Sequence, residues 1–235
     1  MIVEANVPLK LTLFGEHAVV YGKPAIAYTI SENLKVRVRE SEKFYVASDN
    51  LQLKGIRVDL HEFKIENENV KKVISYVTEV INYFSEKYGF NNERKALIEI
   101  ESNVDPSVGL GTSAAVVVGT VIAYSKFLGL DLQKQDIAKI SHEIELRVQG
   151  IASIMDTHTE TYGGFLLIRE NKVENLNVPV PLTFSAGYFR RIMTTAEMLR
   201  NVKNLKDRDP SLFNSLIDSI ERVTLEAKEA LISGD

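Results

Sequence analysis

The sequence predicts an α+β fold, in which helices and strands follow one another without the regular alternation of a doubly wound parallel sheet. Three observations carry that expectation. Short alternating runs joined by tight turns fill residues 1–40. A long segment from Glu68 to Tyr88 has its apolar residues at helical spacing. The later strands stand singly between helices.

In chain order, Leu9, Leu11 and Leu13 alternate with Lys10 and Thr12, the period of a strand. Tyr21-Gly22-Lys23-Pro24 is turn chemistry, and Ala25 to Ile30 resumes an extended run. Leu34-Lys35-Val36-Arg37-Val38-Arg39 alternates apolar with basic residues, the pattern of a sheet with one solvated face. In the helix from Glu68 to Tyr88, Val70, Val73, Ile74, Val77, Val80, Ile81 and Phe84 form one apolar stripe, and Gly89 ends it. Ala96 to Ile100 reads as a strand. An apolar helix follows from about Thr112 to Leu128, then a second helix, capped by Asp131, to about Val148. Gln149 to Tyr162 reads as a loop leading to a strand from Phe165 to Ile168.

Asn171 to Pro181 reads as a polar connector, which divides the chain into domains at 1–175 and 176–235. Beyond it we expect one strand, Leu182 to Tyr188, and helices over about Thr195 to Leu205 and Pro210 to Ile232. One strand is few for a free-standing domain, so the expectation is a chain cut short at Asp235.

The net charge of -4 has no block of like charges, which points away from nucleic acid and anionic membranes as partners. The chain has no cysteine, excluding disulfides, thiolate metal sites and Cys nucleophiles. The N-terminus lacks a signal-peptide pattern, and the most apolar segment, Ala114 to Leu130, is interrupted by polar residues. A cytoplasmic location is the default expectation.

The chemistry concentrates in Asp105-Pro106-Ser107-Val108-Gly109-Leu110-Gly111-Thr112-Ser113-Ala114-Ala115. A strand, a glycine-rich loop and a helix start can surround an anion with backbone N–H groups. Gly109 and Gly111 let the backbone approach the ligand, while Thr112 and Ser113 offer hydroxyls for capping or for Mg²⁺. The loop is neither a P-loop, which needs a Lys before its Ser/Thr, nor a Rossmann fingerprint. By itself it also reads as an ordinary turn with a Ser/Thr cap.

Three segments together resemble the superfamily of galactokinases, homoserine kinases, mevalonate kinases and phosphomevalonate kinases (GHMP kinases). Pro8 to Gly22, containing Gly15-Glu16-His17-Ala18-Val19-Val20-Tyr21-Gly22, is similar to the first motif and most resembles its mevalonate kinase branch. Gly109 to Ala115 is similar to the second motif. Glu145, with Gly150-Ile151-Ala152-Ser153-Ile154-Met155-Asp156-Thr157, resembles the stretch that supplies a metal ligand and a catalytic carboxylate. The resemblance covers about residues 4–205. It implies an N-terminal domain like domain 2 of ribosomal protein S5, followed by an incomplete ferredoxin-like C-terminal domain. It further implies ATP-dependent phosphorylation of mevalonate to 5-phosphomevalonate with Mg²⁺, and it allows a homodimer.

Carried over residue by residue, the resemblance makes Asp156 the general base and Lys10 its neighbour in the transition state. Pro106, Ser107, Val108, Gly109, Leu110, Gly111, Thr112, Ser113 and Ala114 cradle ATP. Ser113 and Glu145 hold Mg²⁺, and Glu16, His17 and Thr195 contact mevalonate or phosphate. Each also has a plain reading: Glu145 on a solvated helix face, Asp156 in a turn, Lys10 in simple strand alternation.

The departures are Ser107 and Thr112 where glycine and serine are usual, Ala152-Ser153-Ile154 in place of Pro-Ser-Gly, and Met193 where Arg often precedes the Ser-Thr pair. The late glycine-rich third motif has no counterpart before residue 235, so weak phosphoryl transfer relative to a longer form is expected. Another kinase of the superfamily, acting on phosphomevalonate or a sugar, and a catalytically idle ATP-binding regulator are the alternatives.

Overall fold

The computed structural model describes residues 1–48, 56–59, 68–90, 94–104, 108–150, 152–185, 187 and 195–235. Its strands are β1 (Ile2–Phe14), β2 (Ala25–Glu40), β3 (Tyr45–Ser48), β4 (Ile56–Asp59), β5 (Ala96–Ser102), β6 (Phe165–Arg169) and β7 (Lys172–Leu176). Its α-helices are α1 (Glu68–Tyr88), α2 (Thr112–Phe127), α3 (Lys134–Gln149), α4 (Met155–Tyr162), α5 (Thr195–Arg208) and α6 (Pro210–Ser233). The architecture is α+β. The chain packs as two compact units, Met1–Leu11 with Thr29–Gly163, and Thr12–Tyr28 with Gly164–Asp235.

In the first unit β4 pairs antiparallel with β3, β3 parallel with β5, and β5 antiparallel with β2. The alternation of β2 is realised there. Leu34, Val36 and Val38 enter the core, whereas Arg37 and Arg39 reach the open face and meet Glu4, Glu99 and Glu101. The apolar stripe of α1 is buried in full, from Val70 to Phe84. Each such side chain contributes roughly 1.5–3 kcal/mol, so packing rather than intrinsic propensity holds this helix. Helix α2 is apolar nearly all round and sits in the interior against α1, α3 and α4. At Gly119 it comes so near the sheet that a Cβ would stand 2.6 Å from Val36 Cγ2.

In the second unit residues Ala25 to Tyr28 of β2 pair with β6, and β6 turns back into β7 through Glu170, whose φ is 45°. Helix α6 starts at Pro210 behind the cap Asp209, whose carboxylate accepts from Leu212 N at 3.0 Å. It buries Phe213 and Ile217 with Ala18, and packs Ala227 and Leu231 against Ile26, Leu167 and Leu176. Lys23 is held between Asp218 at 2.8 Å and Glu221 at 2.6 Å.

Several expectations differ from what forms. Residues expected as a loop include α4, eight residues long. The polar connector contains β7. The strand expected over Leu182 to Tyr188 is absent at 182–185 and 187, and residues 186 and 188 lie outside the described residues. Helix α3 begins behind Gln133 rather than at a cap on Asp131. Among the described residues, no helix is long and apolar enough to cross a membrane.

Candidate active site

The first unit gathers Lys10, the glycine loop, Glu145 and Asp156. β1 supplies Lys10, which points away from the core partners Val7 and Leu9 yet is only 5% exposed. Its backbone N–H donates to Leu110 O at 3.0 Å, tying the strand to the loop. Its ammonium reaches α4, where Nζ lies 2.7 Å from Asp156 Oδ1. The Asp156 side chain is 35% exposed, so this carboxylate is both ion-paired and reachable from solvent.

Val108 to Ala114 lead into α2, while Pro106 and Ser107 lie outside the described residues. Gly111 is the N-cap at φ 78°, and no side chain caps the helix there. A Cβ at this position would overlap Glu160 Oε1 and stand 2.9 Å from Lys10 Cγ, so residue 111 is glycine for both space and backbone angle. The first turn of α2 carries no acidic residue, leaving the positive end of the helix dipole available to an anion. Thr112 is buried and its hydroxyl has no hydrogen-bond partner among the described residues, whereas Ser113 is half-buried.

Glu145 approaches from α3. It is 5% exposed, not on the solvated face its charged neighbours suggested. Burial, and secondarily the charge of Asp156, push its carboxyl up to about 8, against smaller opposing pulls from Lys72 and Lys10. Ser113 and Glu145 are both oxygen donors, as Mg²⁺ requires. Among the described residues no three or more His, Asp or Glu form a cage for a metal. Mg²⁺ is usually bound through one or two carboxylates plus nucleotide phosphates and water, and this sparse donor set fits that habit.

One residue of the cluster was not anticipated. Glu160 lies on α4 one turn beyond Asp156, and both its oxygens are buried without a hydrogen-bond partner among the described residues. The signal was the spacing of four from Asp156, visible only once residues 155–162 are read as a helix. His142 is half-buried, and its ring centroid is 6.4 Å from that of His158. Burial, with a smaller push from His142, lowers His158 to about 4.

Glu16 and His17 belong to the second unit, on the turn after β1. Gly15, at φ 80°, packs against Pro24 and Ala25 so tightly that a Cβ would stand 2.6 Å from Ala25 Cα. His17, at φ 64°, opens the 3₁₀ turn Ala18–Tyr21. Thr195 opens α5, and nothing further of it is described. Met193 lies outside the described residues.

Comparison with known proteins gives a consistent relationship. The family described as GHMP kinases N terminal domain matches residues 75–164. Mevalonate kinase of Saccharolobus solfataricus is 54% identical over 232 residues, covering 99% of this chain and 72% of that enzyme. Mevalonate kinase of Thermococcus sibiricus is 33% identical, covering 99% and 71%. The solved mevalonate kinase of Methanococcus jannaschii superposes with a TM-score of 0.73 at 29% identity, over 97% of this chain and 72% of that one.

Proposed function

The chain belongs to the mevalonate kinases of the GHMP kinase family, and from that membership we propose that it transfers the γ-phosphoryl group of ATP to the hydroxyl of mevalonate, giving 5-phosphomevalonate and ADP. The observation that carries the reading is the ion pair of Lys10 and Asp156, 2.7 Å apart and joined through β1 to a glycine loop at a helix N-terminus.

In this reading the loop from Pro106 to Ala114 holds the triphosphate with its backbone N–H groups, and the end of α2 favours the negative charge. The mevalonate hydroxyl lies against Asp156. As its oxygen bonds to the γ-phosphorus, the bond to the β–γ bridging oxygen breaks and ADP departs. Asp156 takes the hydroxyl proton, and its exposure lets the proton pass on to water. Lys10 pairs with Asp156 beforehand and stands beside the charge that spreads over the phosphoryl oxygens. Ser113 and Glu145 would hold Mg²⁺, which when bound neutralises phosphate charge. Glu16, His17 and Thr195 would position mevalonate or phosphate. The same proposal assigns ATP binding to residues 1–175, makes 176–235 part of a C-terminal kinase domain and places the protein in the cytoplasm.

The test is a substrate panel with coupled ADP detection. Mevalonate should give the highest kcat/KM, and faster turnover of phosphomevalonate or galactose at low concentration would overturn the substrate assignment.

A further inference from the structure

Glu160 has no role in the reaction just described, yet it lies at its centre. Being one helical turn beyond Asp156, it leaves α4 on the same face. It is 3% exposed, and neither carboxyl oxygen has a hydrogen-bond partner among the described residues. The space a Cβ at Gly111 would fill is taken by Glu160 Oε1, and Lys10 Cγ and Cε stand 2.9 and 3.2 Å from the same point. The Glu160 carboxyl and the Lys10 stem are therefore neighbours against one face of Gly111. A buried, unpartnered carboxyl costs stability that an apolar residue would not. Here that cost falls beside the reacting pair.

We infer that Glu160 is a positioning residue for Lys10: its carboxyl walls the Lys10 stem against Gly111 and so keeps the ammonium on Asp156. The inference rests on the reading of Lys10 and Asp156 as the reacting pair. The charged groups that face Glu160 are Asp156 on its own helix, Lys10 from β1 and Glu145 from α3. Burial, reinforced by Asp156, holds its carboxyl well above the usual carboxylate range, against a pull from Lys10. The carboxyl fills the space beside the Lys10 stem, so the stem cannot swing towards Gly111.

The test is a double-mutant cycle on the full chain, with ATP and mevalonate, using Glu160→Ala, Glu160→Gln, Lys10→Met and the doubles. Because the residue acts through Lys10, Glu160→Ala should lower kcat about tenfold with KM for ATP nearly unchanged, and should have less than about a twofold effect once Lys10 is Met. Glu160→Gln, which has the same shape, should recover most of the loss. Equal losses in both backgrounds, equal losses for Ala and Gln, or a loss residing in KM would overturn the inference. Should Glu160→Ala not fold, the small deficit of the Gln variant is read in both backgrounds in the same way. A readout independent of the substrate is the labelling of Lys10 by an amine reagent, followed by mass spectrometry. Glu160→Ala should speed it several-fold, and an unchanged rate would overturn the inference. Wild-type turnover, measured alongside, separates a failure of the substrate assignment from a failure of this one.

Discussion

Acids and bases meet in two places in the first unit, with opposite results. On the open face of the sheet Arg37 lies 2.7 Å from Glu4 and 3.4 Å from Glu101, and Arg39 lies 3.2 Å from Glu99. All of these side chains are more than a third exposed, and water screens whatever the pairs gain. Around Lys10, Asp156 pairs with the ammonium while two further carboxyls, Glu145 and Glu160, lie within its electrostatic reach and are almost wholly buried. Asp156 takes the ion pair, while Glu145 and Glu160 are pushed towards their neutral forms. The same residue types thus settle their charges where water reaches them. Where it does not, they hold an imbalance that a bound cation can answer.

Lys10→Met should separate the two places most sharply. It removes the one ion-pair partner of Asp156 among the described residues and the cation proposed to stand beside the transferring group. An effect of about 10²–10³ on kcat is expected, as for loss of one preorganised electrostatic donor, measured by coupled ADP release. A loss below tenfold would make this ion pair no more consequential than those on the sheet face.

Glu145→Gln comes next and has two readouts. The Mg²⁺ concentration giving half-maximal turnover should rise by about 10–100-fold, the range seen when a metal's ligand environment is disturbed. Stability should move the other way. Glu145 titrates near 8 in the fold against an ordinary value of 4.5, so between those values the unfolded chain has released a proton the fold still keeps. Stability from this group therefore falls as pH rises through that window. Without metal, the Gln variant should be the more stable protein at pH 8, by on the order of 1–3 kcal/mol, and should match the parent near pH 4. Thermal melts at the two pH values check this.

Arg37→Ala should do least. We expect a Tm change under about 2 °C, shrinking further in high salt, and an unchanged kcat. A larger shift would mean the open face is less thoroughly solvated than its exposure indicates.

Much of this was legible beforehand because it rests on strong local patterns. Helix α1 was read to its ends, since its apolar stripe and Gly89 are unambiguous. The loop before α2 and the alternation of β2 were equally clear. Helix α4 was not. Met-Asp-Thr-His-Thr-Glu-Thr-Tyr is short, rich in threonine and without a side-chain cap, so intrinsic propensity argues against it. Burial of Thr157, Thr159, Glu160 and Thr161 makes it a helix, and that packing leaves no periodic trace in the sequence. The same gap hid Glu160. Strand β7 was missed because Lys-Val-Glu-Asn-Leu is polar; it forms by pairing with β6 across a tight turn. The resemblance already implied Lys10 as the neighbour of Asp156, and the fold sets their separation at 2.7 Å.

The most direct test of the account replaces Asp156 with Asn and measures ATP affinity and turnover on the same sample. Affinity should stay within about threefold of the parent while kcat falls by about 10²–10⁴, the contribution of a positioned base. Turnover retained at the parent level would contradict the assignment of Asp156 as the proton acceptor.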